Sequence, residues 1–409
     1  MRGVGHRVAV AFALGAALAG CDAARERPEG AGELALGAPD TMCQRGDCRA
    51  GIGVLVRLGG EGYGGEFRDG RPHGMGSLTW PGGQTYLGGF VDGRIEGEGT
   101  FRWAEGDTYT GRFVTGLPDG RGELAFADGS RYVGGWERGR KLGEGYELGQ
   151  DGTLYSGLWQ DGVANGQGRL TRADGTMYLG GWSQGQRSGQ GLAIGPGLYR
   201  YEGAFANDAE AGRGKARFDD GREYEGSFEA GKPQGEGTLR FPDGRVYAGA
   251  FERGRPSGKG LMTLADGTRI EGNFSGGVLE GTARRTQPDG SVLAVAYSKG
   301  RPTGEGTLTH ADGRVLRVSY RAGVANGAGV LVYPDGREEI QIYRGGKLLR
   351  TLTKERFEQE QAQLRERAAA KLRERAAAQP PAGAPPPAVG GGAGEPAPPE
   401  SRVKVDLAR

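Results

Sequence analysis

Histidine and cysteine are scarce in this sequence, three of each in 409 residues. It also has no excess of either charge sign, with 53 Lys and Arg against 51 Asp and Glu and a net charge of +2. The charge balance excludes a dedicated nucleic-acid binder, which would carry a basic surplus. The shortage of histidine leaves no base for a Ser-His-Asp or Cys-His site: His6 lies in the leading segment, and His73 and His310 share no motif. No zinc spacing, phosphate loop or dinucleotide fingerprint is present. No catalytic, cofactor-binding or metal-ligating residue is therefore assigned, and the chain is expected not to be an enzyme. Its one long apolar run, Val8 to Leu18, is too short to span a bilayer.

Glycine, by contrast, is abundant, 84 residues. The glycines fall at fixed phases. Tyr132, Gly134, Trp136, Gly139, Gly143 and Gly145 recur with every spacing kept as Tyr155, Gly157, Trp159, Gly162, Gly166 and Gly168, a step of 23 residues. Counted from Tyr63, twelve units fit without an insertion and end at Glu338. A fixed period of this size marks a repeat architecture whose units bury their apolar faces only against one another. The pattern Tyr-x-Gly-x-(Phe/Trp)-x-x-Gly-x-x-x-Gly-x-Gly-x-Leu resembles the MORN repeat, over roughly two-thirds of the chain. That resemblance implies a module that places or scaffolds partners, often at membranes.

Within a unit, the Tyr, the third-position Gly and the fifth-position aromatic are two apart and share one strand face. The fifth position is aromatic in all twelve units, from Phe67 to Tyr320. Gly leaves room that a neighbouring ring fills. Asp-Gly pairs such as Asp128-Gly129 and Asp243-Gly244 close most units and read as two-residue hairpin turns; glycines such as Gly116 and Gly120 serve the other edge. The expected fold is all-β: one elongated antiparallel meander with two strands per repeat, curling over its apolar face, then a C-terminal helix and a disordered tail. The recurrent Asp invites comparison with a calcium ladder, but turn chemistry accounts for it. The repeats degrade near the end: Ile270, Leu293 and Leu316 stand for the leading Tyr, Val295 and Val318 for Gly, and Arg285 for an inward Leu.

Residues 1–20 read as a secretory signal, with Arg2, His6 and Arg7 ahead of the apolar run. It ends in Leu18-Ala19-Gly20-Cys21, which resembles a bacterial lipobox. The resemblance implies cleavage before Cys21 and lipid attachment to it; an ordinary signal peptide is the alternative. Asp22 is the residue that in some bacteria marks retention at the inner membrane. Residues 21–42 are a tether, and 43–346 the array with partial caps. Cys43 and Cys48 form one even pair, read as a small disulfide loop, with two free thiols as the alternative. Residues 347–378 are helical by composition, with Leu348, Leu349, Leu352 and Phe357 expected to pack over the open sheet end. The stretch 379–409 is a Pro-, Ala- and Gly-rich tail.

One charge feature stands out. The residue after the eighth-position Gly is basic in six units: Arg71, Arg94, Arg140, Lys232, Arg255 and Arg301. All fall on one loop edge, where a basic row would favour anionic lipid; a scattered solvated row is the alternative. The sequence thus leads to a non-catalytic scaffold at the bacterial envelope, anchored through Cys21, with an unidentified protein partner. The second reading is direct binding of phospholipid or envelope polymer through that edge and exposed rings such as Trp136, Trp159 and Trp182.

Overall fold

The computed structural model describes residue 38 and residues 40–197 and 199–377. Cys21, the signal segment, most of the tether and the tail lie outside the described residues. The rest is one antiparallel sheet of 29 strands followed by one helix. β1 (Thr41–Gly46) and β2 (Ile52–Arg57) precede the repeats. The first four repeats are the hairpins β3–β4 (Gly62–Arg68, Arg71–Thr79), β5–β6 (Thr85–Val91, Arg94–Arg102), β7–β8 (Thr108–Val114, Leu117–Ala125) and β9–β10 (Arg131–Glu137, Arg140–Leu148). The next four are β11–β12 (Leu154–Gln160, Val163–Thr171), β13–β14 (Met177–Ser183, Gln186–Ile194), β15–β16 (Arg200–Ala206, Ala209–Arg217) and β17–β18 (Glu223–Glu229, Lys232–Arg240). Then come β19–β20 (Val246–Glu252, Arg255–Thr263), β21–β22 (Arg269–Ser275, Val278–Thr286) and β23–β24 (Val292–Ser298, Arg301–Thr309). The twelfth repeat pairs β25 (Val315–Arg321) with a strand interrupted at Asn326 into β26 (Val324–Ala325) and β27 (Gly327–Val332). β28 (Glu338–Arg344) and β29 (Lys347–Thr353) close the sheet, and α1 (Lys354–Ala377) follows.

Each strand pairs with its neighbours in sequence, so the topology is a meander, as the repeat pattern predicts. In the fourth repeat, β9 takes seven residues, the turn two and β10 nine. Five connecting residues complete the stride of 23. The turn chemistry is assigned the other way round from the sequence reading. The two-residue turn lies at Arg138-Gly139, where both φ angles are left-handed (49° and 80°), the signature of a type I′ hairpin. The Asp-Gly sites instead form three-residue loops. In Ala127-Asp128-Gly129 the Gly129 amide donates to Phe126 O, and the Asp128 carboxylate accepts from the Ser130 amide at 2.8 Å. The same Asp-to-amide bond recurs at Asp151, Asp174, Asp220, Asp243, Asp266, Asp289, Asp312 and Asp335. These carboxylates serve their own turns.

The inner face is a ladder of rings on a floor of glycine. Tyr132 is fully buried and lies across Gly134 and Gly145, which pair with each other across β9 and β10. A Cβ on Gly145 would sit 2.5 Å from Tyr132 Oη, so only glycine fits beneath the ring. The Tyr132 hydroxyl donates to the Gly135 carbonyl at 3.0 Å, which satisfies the one polar atom the ring buries. The ring edge meets Trp136 at 5.3 Å and Trp159 of the next repeat at 5.1 Å, both near perpendicular. Each such contact is worth about 0.5–1.5 kcal/mol beyond area burial. The ladder runs from Phe67 to Phe274.

Where the tyrosine is absent, one glycine of the pair is absent too. Ile270, Leu293 and Leu316 accompany Ala283, Val295 and Val318, all three buried. Without a ring to accommodate, the floor takes a Cβ.

Both ends of the sheet extend beyond the sequence reading. Cys43 lies within strand β1 and is disulfide-bonded to Cys48, so the bridge staples the first hairpin. At the other end, Ile340-Gln341-Ile342 belongs to β28, which pairs with both β27 and β29. Gly345-Gly346 is one more left-handed pair, so residues 347–353 continue the hairpin pattern as a strand and do not start the helix. The helix begins at Lys354, where the Thr353 hydroxyl accepts from the Arg356 amide as an N-cap. Leu348 and Leu349 are exposed and do not cover the sheet end; Leu352 and Phe357 are half-buried. The helix is held by Arg350–Glu360 (2.8 Å) and Lys354–Glu338 (3.1 Å).

Candidate interaction surfaces

A sheet of this kind offers an inner face, an outer face, two turn edges and two end strands. The inner face is closed. Trp136, Trp159 and Trp182 are 9%, 5% and 4% exposed, so the rings considered for direct contact with lipid or polymer are core residues. Each repeat's aromatic is covered by the tyrosine of its own repeat and by that of the repeat before, a consequence of the stride that a single repeat does not reveal.

The structure places all six basic residues of the charge row together on the type I′ edge. Arg71, Arg94, Arg140, Lys232, Arg255 and Arg301 each open the second strand of a hairpin and are exposed. The row is not uniformly basic. Arg140, Lys232 and Arg255 lie opposite Glu137, Glu229 and Glu252. Arg140 also reaches Asp161 of the next turn at 3.4 Å. The Arg68 guanidinium beside Asp92, at 3.0 Å, holds that carboxyl below the usual range. On the opposite edge the arginines pair within their own turns: Arg222 with Asp220, Arg245 with Asp243 and Arg314 with Asp312, each at 2.7 Å. Arg245 additionally lies over Phe241 at 4.6 Å.

The turn edge also carries a device that links repeats. The third residue of a hairpin's second strand accepts from the left-handed turn amide of the following repeat. Glu96 takes Thr115 N (2.9 Å), Gln234 takes Arg253 N (2.9 Å) and Glu280 takes Lys299 N (2.7 Å). His73 sits in the same column, at 3.4 Å from both the Asp92 amide and its carboxylate. Leu142 and Ala211 occupy that column without an acceptor side chain.

Charged residues on the inner face escaped the sequence reading. Lys141 is buried, with Nζ at 2.9 Å from Glu147 Oε2 and 4.5 Å from the centroid of Trp159. Arg187 is buried over Tyr178 and Phe205, at 5.4 and 5.1 Å, and pairs with Asp208. Glu210 is buried and accepts from the Tyr199 hydroxyl at 2.8 Å. In other repeats this column holds Pro72, Ile95, Pro118, Ala164 or Pro233. Aligning the repeats by column would have flagged it. Burial raises the tyrosines of the ladder; Tyr178, Tyr224 and Tyr247 are pushed up to about 12.

Among the described residues no group of three or more His, Cys, Asp or Glu is placed to hold a metal. No described helix is long and apolar enough to cross a membrane.

The model of the MORN repeat matches twelve stretches, beginning with 63–85, 86–108 and 109–131 and ending with 296–313 and 319–336. No curated protein matches the chain by sequence. Among solved structures, the TCP10 domain of Danio rerio CPAP in complex with a STIL peptide is 18% identical. That match covers 58% of this chain and 96% of that one, with a TM-score of 0.24. The SAS-4 TCP domain of Drosophila melanogaster in complex with a proline-rich motif of Ana2 is 16% identical over 42% of this chain and 88% of that one, with a TM-score of 0.26. Virginiamycin B lyase from Staphylococcus aureus is 9% identical over 74% and 88%, with a TM-score of 0.12. At these TM-scores the likenesses carry no functional weight.

Proposed function

Because the chain belongs to the MORN repeat family, whose repeats are of the protein- and membrane-interaction kind, we propose that it is a non-catalytic scaffold at the bacterial cell envelope. It is anchored through a lipid on Cys21 and binds a protein partner. The observation that supports this reading best is the economy of the sheet. The ring ladder consumes the inner face in holding the fold, which leaves the outer face, the turn edges and the end strands for contact. β29 contributes one such edge, with Leu348 and Leu349 exposed and backbone groups able to take an added strand.

Two experiments test the parts separately. Metabolic labelling with a fatty acid should tag the chain, and Cys21→Ser should abolish both the label and the membrane fractionation; retained fractionation would end the anchoring claim. Cross-linking in intact envelope, followed by capture of the chain, should yield a stoichiometric protein partner. Recovery of lipid adducts alone would favour direct lipid binding.

The exposed row Arg71, Arg94, Arg140, Lys232, Arg255 and Arg301 is the one observation that favours that second reading. Sedimentation with anionic vesicles decides it: with all six changed to Gln, unaltered binding would remove the proposal.

A further inference from the structure

The outer face is polar along most of the sheet, but repeats four to six depart from this. One row crosses five consecutive strands, β10 to β14, as Leu148, Leu154, Thr171, Met177 and Ile194, each paired with the next. The row is bounded by Arg131 on β9 and Arg200 on β15. Beside it, Tyr146, Leu158 and Leu179 are 36%, 40% and 50% exposed. These repeats also carry the inner-face charges Lys141 and Arg187. The usual polarity of the sheet is thus partly inverted here, and an apolar patch faces water where the strands just beyond it place Arg200, Arg217, Glu223 and Arg240.

From this patch we propose that repeats four to six form a face-to-face contact with a second copy of the chain. The charges inside the patch select that occupant. Glu144 on β10 stands opposite Leu158, and Arg169 on β12 stands opposite Ser156. They flank β11, two residues apart along it. A two-fold axis along β11 carries Arg169 of each copy over β10 of the other, beside Tyr146 and two residues along from Glu144, within reach of that carboxylate, so the patch is complementary to itself. Inside the patch Glu144 cancels Arg169, so its interior offers an anionic bilayer no net charge, whereas a second copy can use both. Five strands at about 4.8 Å and a height of about five residues give roughly 400 Å² per copy. That is about half of a standard interface side, so the pair is reversible. The contact does not depend on the anchor at Cys21.

The test uses the full chain with Ser156→Cys at the centre of the patch. The probe is a bis-maleimide reaching about 10 Å, the spacing of packed sheets. Glu225→Cys, at the same outward position three repeats on, is the control. A cross-linked dimer is expected for Ser156→Cys and not for the control. In the Ser156→Cys background, Glu144→Arg should cut the dimer fraction by about tenfold through like-charge contact. Adding Arg169→Glu should restore it. Emission from the buried tryptophans verifies that each variant is folded. The proposal is overturned by equal cross-linking at the two positions, by failure of the double reversal to restore it, or by a product whose mass is not twice the chain.

Discussion

Tyr132 lies across Gly145, and neither residue can change alone. An added Cβ at Gly145 falls 2.5 Å from the Tyr132 hydroxyl oxygen, and the ring has no second place to go, since Trp136 and Trp159 hold its edges. The same relation governs Tyr155 and Gly168, where the added Cβ falls 2.4 Å from the hydroxyl oxygen. Gly168→Ala should therefore cost about 1–3 kcal/mol by overpacking. In combination with Tyr155→Ile, the pair that Ile270 and Ala283 make near the end of the array, the cost should fall short of the sum by at least about 1 kcal/mol. Urea melts of the four proteins in the cycle measure this; strict additivity would refute the coupling.

The Lys141–Glu147 pair predicts opposite outcomes for single and double changes. Both side chains are nearly buried, at 8% and 12% exposed. Lys141→Ala leaves a carboxylate without its cation and should destabilise by about 3–5 kcal/mol. Lys141→Ile with Glu147→Leu restores the residue types of neighbouring repeats and should equal or exceed the parent in stability. Thermal melts distinguish the two.

Alkali should unfold the array through its tyrosines. Tyr178, Tyr224 and Tyr247 are raised from 10 to about 12 by burial, and the other six of the ladder are raised by the same cause. The neutral form is favoured in the folded state. This contribution is complete below pH 10 and is lost as pH rises through the folded values. Phenolate absorbance at 295 nm should then rise together with loss of sheet circular dichroism. Smooth titration near pH 10 with the sheet intact would contradict the burial.

The linking bonds of the turn edge can be extended. Ala211 occupies the column of Glu96, Gln234 and Glu280 but offers no acceptor to the Ala230 amide 19 residues on. Ala211→Asn supplies one and should stabilise by about 0.5–1.5 kcal/mol. A denaturation midpoint at or below that of the parent would show that this bond does not couple repeats.

Deleting one whole stride should be tolerated. Removing residues 224–246, which hold no buried ion pair, places Tyr201 beside Phe251, which fills the role of Phe228 at the next rung. The shortened chain should keep its tryptophan emission and lose two strands' worth of circular dichroism. Removing half a stride should unfold the local sheet.

The repeat, its stride and the inward ring column were legible because tyrosine, glycine and aromatic residues recur at even spacing, and that spacing fixes a strand face. Two kinds of feature were not. The turn types were exchanged because Asp-Gly suits both a two-residue turn and a three-residue loop, and only the register of the flanking strands decides between them. The strand at 347–353 was masked by its leucines and basic residues, which suit a helix equally well; Gly345-Gly346 and the pairing of β28 with β29 overrule that composition. The tryptophans were placed on the correct face, but their exposure depends on neighbours one stride away.

Every tyrosine hydroxyl of the ladder is satisfied inside its own repeat, whereas every ring edge is shared with the next. Damage in one hairpin therefore loosens two seams and leaves distant hairpins untouched. Under load or partial denaturation such a molecule should part at a single site, like a torn zip, with both remnants still ordered on either side of the gap.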